Sequence, residues 1–169
     1  MQTAQRLDAD EAITTLFAAH YASLVRTASL LVRSSGEAEE IVQDAFVAMH
    51  KRWNRLRDPD SAVGYLRRSV VNGARSRHRH HSVADKHLSR EAGSTAPAPD
   101  PTMAADDRAL VLAALDDLPT RQREVLVLRY YNDLPEADIA VALGISNGAV
   151  KSHASRGLKA LRTNLEDPS

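Results

Sequence analysis

The residues IAVALGISNGAVKSHASRGLKALR, Ile139 to Arg162, hold one glycine-led break and then a run that is apolar on one side only. At about 100° per residue of α-helix, Val150, Ala154, Gly157, Leu158 and Leu161 gather on one face. Ser152, Ser155, Arg156 and Lys159 gather opposite, with Lys151 and His153 on the flanks. A merely solvated helix face mixes Glu with Lys, yet from Ser146 to Leu165 there is no acid. The segment from Pro135 onward has helix-turn-helix proportions: a short helix, a tight turn at Gly144, and a longer second helix opened by Ser146 as its cap. A second helix with small side chains can enter the major groove, which is roughly 12 Å wide, and donors near its amino-terminal end reach base edges there. Asn147, Gly148, Lys151, Ser152, Ser155 and Arg156 meet both demands, so this face points at DNA.

Outward from that segment the periodicity stays helical. Phe17, Tyr21, Leu24, Ala28 and Leu31 step by four and three and predict one helix, with these residues inward, that stops at Ser34–Gly36. A second helix opens with Glu37, Glu39 and Glu40, acids that suit a positive helix start, and carries Ala38, Ile41, Val42, Ala45, Phe46 and Met49 inward to about Trp53. Asp58 can cap and Pro59 suits the first turn of a third helix, whose Val63, Leu66, Val70 and Ala74 share a side. On another face of it Arg68, Asn72, Arg75 and Arg79 step by four, three and four. Arginine supplies fork-shaped donors for phosphate and base edges, and Asn can read an exposed base in a single strand. Leu110, Ala114 and Leu118 resume an inward pattern, and a helix near Thr120–Tyr131 places Val125 and Leu128 inside. No window alternates with period two, so the expected fold is all-α: two small helical domains, 10–82 and 107–165, joined by a flexible linker over 83–106. GSTAPAPDPT, at the middle of that linker, has three prolines and almost nothing to bury.

The charges add to zero, 22 basic against 22 acidic residues, but they are not mixed. Ser61–Ala84 holds five arginines, three histidines and no acid, whereas Asp100–Asp117 holds five aspartates against one arginine. Two basic helices joined by an acidic tether are odd for a simple repressor and suit a protein that grips two DNA sites some distance apart. The absence of cysteine excludes disulfides and thiolate metal sites. His78, His80 and His81 do not lie on one helical face, and no acid or Cys accompanies them, so no metal is expected. No nucleophile–base constellation or phosphate-binding glycine loop appears; the expectation is a protein without catalytic residues or cofactor. The polar start MQTAQRLDADEA and the lack of any apolar run near the ~20 residues of a membrane span predict a cytoplasmic protein without membrane insertion.

Taken together, AEEIVQDAFVAMHKRW (Ala38–Trp53), GYLRRSVVNGARSRHR (Gly64–Arg79) and the segment from Leu118 to Arg162 resemble the extracytoplasmic-function, or group IV, sigma factors of bacterial RNA polymerase, of the actinobacterial sigma-E-like kind. The resemblance implies that Glu40, Gln43, Asp44 and Phe46 dock on core polymerase. It implies that Asn72, Arg75 and Arg79, with Arg68 on the same stripe, hold the minus-ten element, and that Asn147, Lys151, Ser152, His153, Ser155 and Arg156 lie on the helix that reads the minus-thirty-five element. It further implies an anti-sigma partner, two domains as the whole molecule and a monomer when free. The competing expectations are a helix-turn-helix repressor or activator using only its carboxy-terminal half, and an interaction module that binds polymerase without promoter contact. AEEIVQDAF, which a repressor has no reason to carry, separates the first from the family; the acid-free last helix argues against the second.

Overall fold

Seven α-helices, with no strand among the described residues, make up the computed structural model, which describes residues 2–32, 34–56, 58–84 and 104–167. They fall into two units, Met1–Thr95 and Ala96–Ser169. The linker expected over 83–106 lies outside the described residues from 85 to 103.

Unit 1 is three long helices, α1 (Gln2–Leu31), α2 (Ser35–Leu56) and α3 (Pro59–Ala84). The starts of α2 and α3 are written in the sequence. The Ser34 hydroxyl accepts from the Glu37 N–H at 3.4 Å, and the Asp58 carboxylate accepts from the Ser61 N–H at 3.4 Å and hydroxyl at 3.0 Å, with Pro59 as first helical residue. The inner stripe of α2 is Ala38, Ile41, Val42, Ala45, Phe46, Met49 and Trp53. It meets Leu24, Ala28 and Leu31 of α1 and Ala62, Leu66, Val70, Val71 and Ala74 of α3 in one apolar core. Full burial of side chains such as Met49, Leu66 and Val70 contributes about 1.5–3 kcal/mol each. Close approach of α3 to α2 depends on Gly73, where an added Cβ would sit 2.8 Å from Cγ2 of Ile41.

Two expectations change here. Phe17 is 42% exposed and stacks on Tyr21 with ring centroids 4.3 Å apart, whereas Leu16 beside it is buried. The second helix also continues past Trp53 to Leu56. Two polar ties cross the unit: a His50 ring nitrogen lies 2.9 Å from Asp10, and Nε2 of His78 donates to the Leu31 carbonyl at the end of α1, at 2.6 Å.

Unit 2 is built from shorter pieces: α4 (Ala105–Asp116), α5 (Thr120–Leu126) continued by a π-helical turn over Val127–Tyr131, α6 (Glu136–Leu143) and α7 (Asn147–Glu166). Val125, Leu128, Ile139 and Val150 are wholly buried and make its centre. Leu110, expected inside, is 50% exposed; Leu115 on α4 is buried in its stead. Short helices leave many carbonyls without an intrahelical partner, and a buried arginine answers them. Arg123, 7% exposed, donates from Nε to the Leu115 carbonyl at 2.9 Å and from Nη2 to those of Asp116 and Leu118 at 2.9 and 3.2 Å. Glu124 beside it is also buried, and Arg121 Nη1 donates to its carboxylate at 3.2 Å.

Candidate nucleic-acid interface

The turn between α6 and α7 is set by two local choices. Gly144 takes φ 66° and ψ 36°, the left-handed region that only glycine adopts cheaply, and the Ile145 N–H closes back on the Ala140 carbonyl at 3.1 Å. Ser146 then caps α7, its hydroxyl accepting from the Ala149 N–H at 3.1 Å. Pro135 stands at the cap of α6, one position before the first turn where the sequence pattern puts it.

These ends fix which side of α7 looks outward. Val150, Ala154 and Gly157 are buried against the rest of the unit. Asn147, Lys151, Ser155 and Arg156 are exposed, and Ser152 and His153 are half-buried. All six sequence candidates thus lie within the first three turns of one helix. Nδ1 of His153 is buried without a hydrogen-bond partner. The acid-free character of α7 is modified by a neighbour that the sequence pattern does not reveal. Glu136, in the first turn of α6, places one carboxylate oxygen 3.9 Å from Lys151 Nζ and the other 3.5 Å from Arg129 Nη1. Arg129 also lies over the ring of the exposed Tyr130, 5.7 Å from its centroid, as Arg52 lies over Tyr65 in unit 1 at 5.8 Å.

In unit 1 the four candidates on α3 share one side, opposite Leu66 and Val70; Arg68, Asn72 and Arg79 are exposed and Arg75 is half-buried. Arg77 points elsewhere, its guanidinium 2.9 Å from Glu40 of α2. On α2, Glu40, Gln43 and Asp44 are exposed on successive turns of one face, and the Gln43 amide donates to the Tyr21 hydroxyl at 3.5 Å. Phe46 is different: it is 5% exposed, with its ring 5.1 Å from that of the half-exposed Phe17. Of the three histidines weighed for metal, His78 is engaged by the α1 carbonyl and the side chain of His81 lies outside the described residues. No group of three or more His, Cys, Asp or Glu among the described residues is placed to hold a metal ion, and no described helix is long and apolar enough to cross a membrane.

Comparison with known proteins agrees with this division. Residues 16–83 match the family model for sigma-70 region 2, and residues 108–161 match that for sigma-70, region 4. The chain is 35% identical over 144 residues to an RNA polymerase sigma-E factor of Streptomyces avermitilis, covering 85% of this chain and 79% of the relative. It is 32% identical over 141 residues to the ECF RNA polymerase sigma factor SigM of Mycobacterium tuberculosis, covering 83% and 70%. Among solved structures, CnrH in complex with the cytosolic domain of CnrY superposes with a TM-score of 0.70 at 25% identity, over 97% of this chain and 98% of that one. The sigma factor RpoE in complex with the anti-sigma factor NepR, from Bartonella quintana, has the same fold, with a TM-score of 0.69 at 22% identity over 96% and 99%.

Proposed function

The chain belongs to the extracytoplasmic-function sigma factors of RNA polymerase, of the sigma-E-like kind, and from that premise we propose how its two units divide the work. It is a sigma factor: a non-enzymatic subunit that associates with core RNA polymerase and directs promoter recognition and transcription initiation. Glu40, Gln43 and Asp44 form the face that docks on core polymerase. Two carboxylates and an amide on one helix side suit a partner presenting arginine or lysine, and Phe46 supports that face from beneath. Arg68, Asn72, Arg75 and Arg79 hold the minus-ten element; Asn147, Lys151, Ser152, His153, Ser155 and Arg156 engage the minus-thirty-five element from the major-groove helix, some at base edges and others, Lys151 among them, at phosphate. The two promoter-reading bodies are residues 10–82 and 107–165, tethered by 83–106.

The observation that carries this assignment is the outward face of α7, small and cationic, behind a turn that Gly144 and Ser146 fix. Two small DNA faces joined only through a long stretch of chain lie at low effective concentration for each other. Core polymerase fixes their separation, so the free protein, a monomer, binds promoter DNA weakly and the holoenzyme binds it tightly. The complexes of CnrH with CnrY and of RpoE with NepR support a like arrangement for this chain, in which an anti-sigma factor holds it until a signal releases it. Its place of action is the cytoplasm, where core polymerase is.

Run-off transcription tests the reading: purified core polymerase, this protein and a library of promoter fragments. Transcript starts that depend on the added protein are expected. Sequence-specific DNA binding by the protein alone, as tight without core as with it and yielding no transcript, would overturn it.

A further inference from the structure

Glu136 is the one feature of the α7 neighbourhood that the promoter-reading role does not absorb. It is an acid set beside the cations of a face meant for a polyanion. Its two carboxylate oxygens reach Lys151 Nζ at 3.9 Å and Arg129 Nη1 at 3.5 Å, from two different elements. Both pairs are at the surface, where ion pairs are weak and exchange readily. The first helix of a helix-turn-helix crosses the DNA backbone while the second enters the groove, so Glu136, on α6 and within 3.9 Å of Lys151 on α7, belongs to the part of the motif that faces phosphate.

From this geometry we propose that Glu136 is an intramolecular competitor of DNA phosphate: it holds Lys151 and Arg129 in the free protein, and the promoter backbone must displace it. The proposal rests on the reading of α7 as the DNA-facing helix. A carboxylate near the backbone opposes any phosphate, whatever the sequence. Glu136 therefore lowers affinity for all DNA alike and leaves discrimination to base-contacting residues such as Arg156. Its effect is to keep the free protein off bulk DNA, so that useful binding waits for core polymerase to bring both units onto one promoter.

The test is fluorescence anisotropy of the full-length protein on a labelled duplex carrying its upstream promoter element and on a scrambled duplex, across a salt series. Freeing the two cations for one further net phosphate contact releases about one more counterion, which at 0.15 M salt corresponds to about fivefold in affinity. Glu136→Gln is expected to tighten binding to both duplexes by about that factor, to leave their ratio unchanged and to steepen the log–log salt slope by about one. Glu136→Ala is expected to act in the same direction, and the gain is expected to shrink in a Lys151→Gln background. Asp138→Asn, in the same turn and without an ion pair among the described residues, is the control for bulk charge. Unchanged or weaker binding by both Glu136 variants, or an equal gain from Asp138→Asn, would overturn the proposal. Failure of the underlying assignment looks different: Lys151→Gln and Arg156→Ala would then leave DNA binding as it was.

Discussion

The two units solve the same problem, a small helical core, by different means. Unit 1 has three long helices and hence few ends; its buried surface is almost wholly apolar, and what limits it is steric fit, concentrated where Gly73 lets α3 lie on Ile41 of α2. Unit 2 breaks a shorter stretch of chain into four helices and a π-helical turn, and so multiplies helix ends inside a small body. There a charged side chain, Arg123, must enter the interior to satisfy the carbonyls of Leu115, Asp116 and Leu118. The lesson is physical: an end buried in a small domain costs a polar group inside it. A fold that must present a short helix-turn-helix has more such ends than one that presents a helix face.

The sharpest way to break this contrast is Arg123→Ala. Three carbonyls lose a charged donor at once, so unit 2 is expected to lose about 3 kcal/mol or more. Hydrogen exchange at the amides of α4 to α7 measures the loss. Trp53, the only tryptophan and buried in unit 1, reports the other unit by its fluorescence in urea, and its transition is expected to stay where it is. If the Trp53 midpoint moves as far as the exchange does, the units are not energetically separate.

Unit 1 answers to a steric change instead. Gly73→Val adds atoms where even a Cβ would stand 2.8 Å from Ile41, and overpacking of this kind costs about 2 kcal/mol. The Trp53 transition is expected to shift to lower urea while unit 2 keeps its exchange protection. A Gly73→Val protein as stable as the parent would show that the α2–α3 joint is not the tight point of this unit.

Smaller again is the cap of α7. Ser146→Ala removes the hydroxyl that the Ala149 N–H donates to, for a loss of about 1 kcal/mol. Exchange at the first amides of α7 is expected to rise before that of Val150, and promoter binding to weaken with it, because Asn147 and Lys151 sit in the turn that frays.

Legibility in the sequence follows the same division. The faces of α2, α3 and α7 could be read because each repeats an apolar step over several turns, and Gly144 and Ser146 announce a turn and a cap by their chemistry. Phe17 and Leu110 were expected inside on equally good periodicity and lie half-exposed, because a stripe on one helix does not say how much of it a neighbour covers. Nothing in RQREV signals the burial of Arg123, because its partners are the carbonyls of Leu115, Asp116 and Leu118 at and just past the end of the preceding helix. Glu136 is 15 positions from Lys151 along the chain, and only the hairpin of α6 and α7 brings the acid to the cation. Apart from the π-helical turn over Val127–Tyr131, inside what reads as one helix, what escaped the sequence is a contact between elements and not an element.

The account as a whole stands on one separation, docking by unit 1 and groove reading by unit 2, and gel-filtration co-elution with core RNA polymerase tests it most directly. Asp44 is exposed on α2, so Asp44→Arg is expected to change stability by no more than about 0.5 kcal/mol while placing a positive charge on the docking face. Arg156 is exposed on α7, and Arg156→Ala is expected to cost about 1–3 kcal/mol in binding of the upstream element by assembled holoenzyme if it reads a base. In the co-elution itself, Arg156→Ala is predicted to travel with core as the parent does, and Asp44→Arg to be largely left behind. Equal co-elution of the two variants, whether both bound or both lost, would contradict the account.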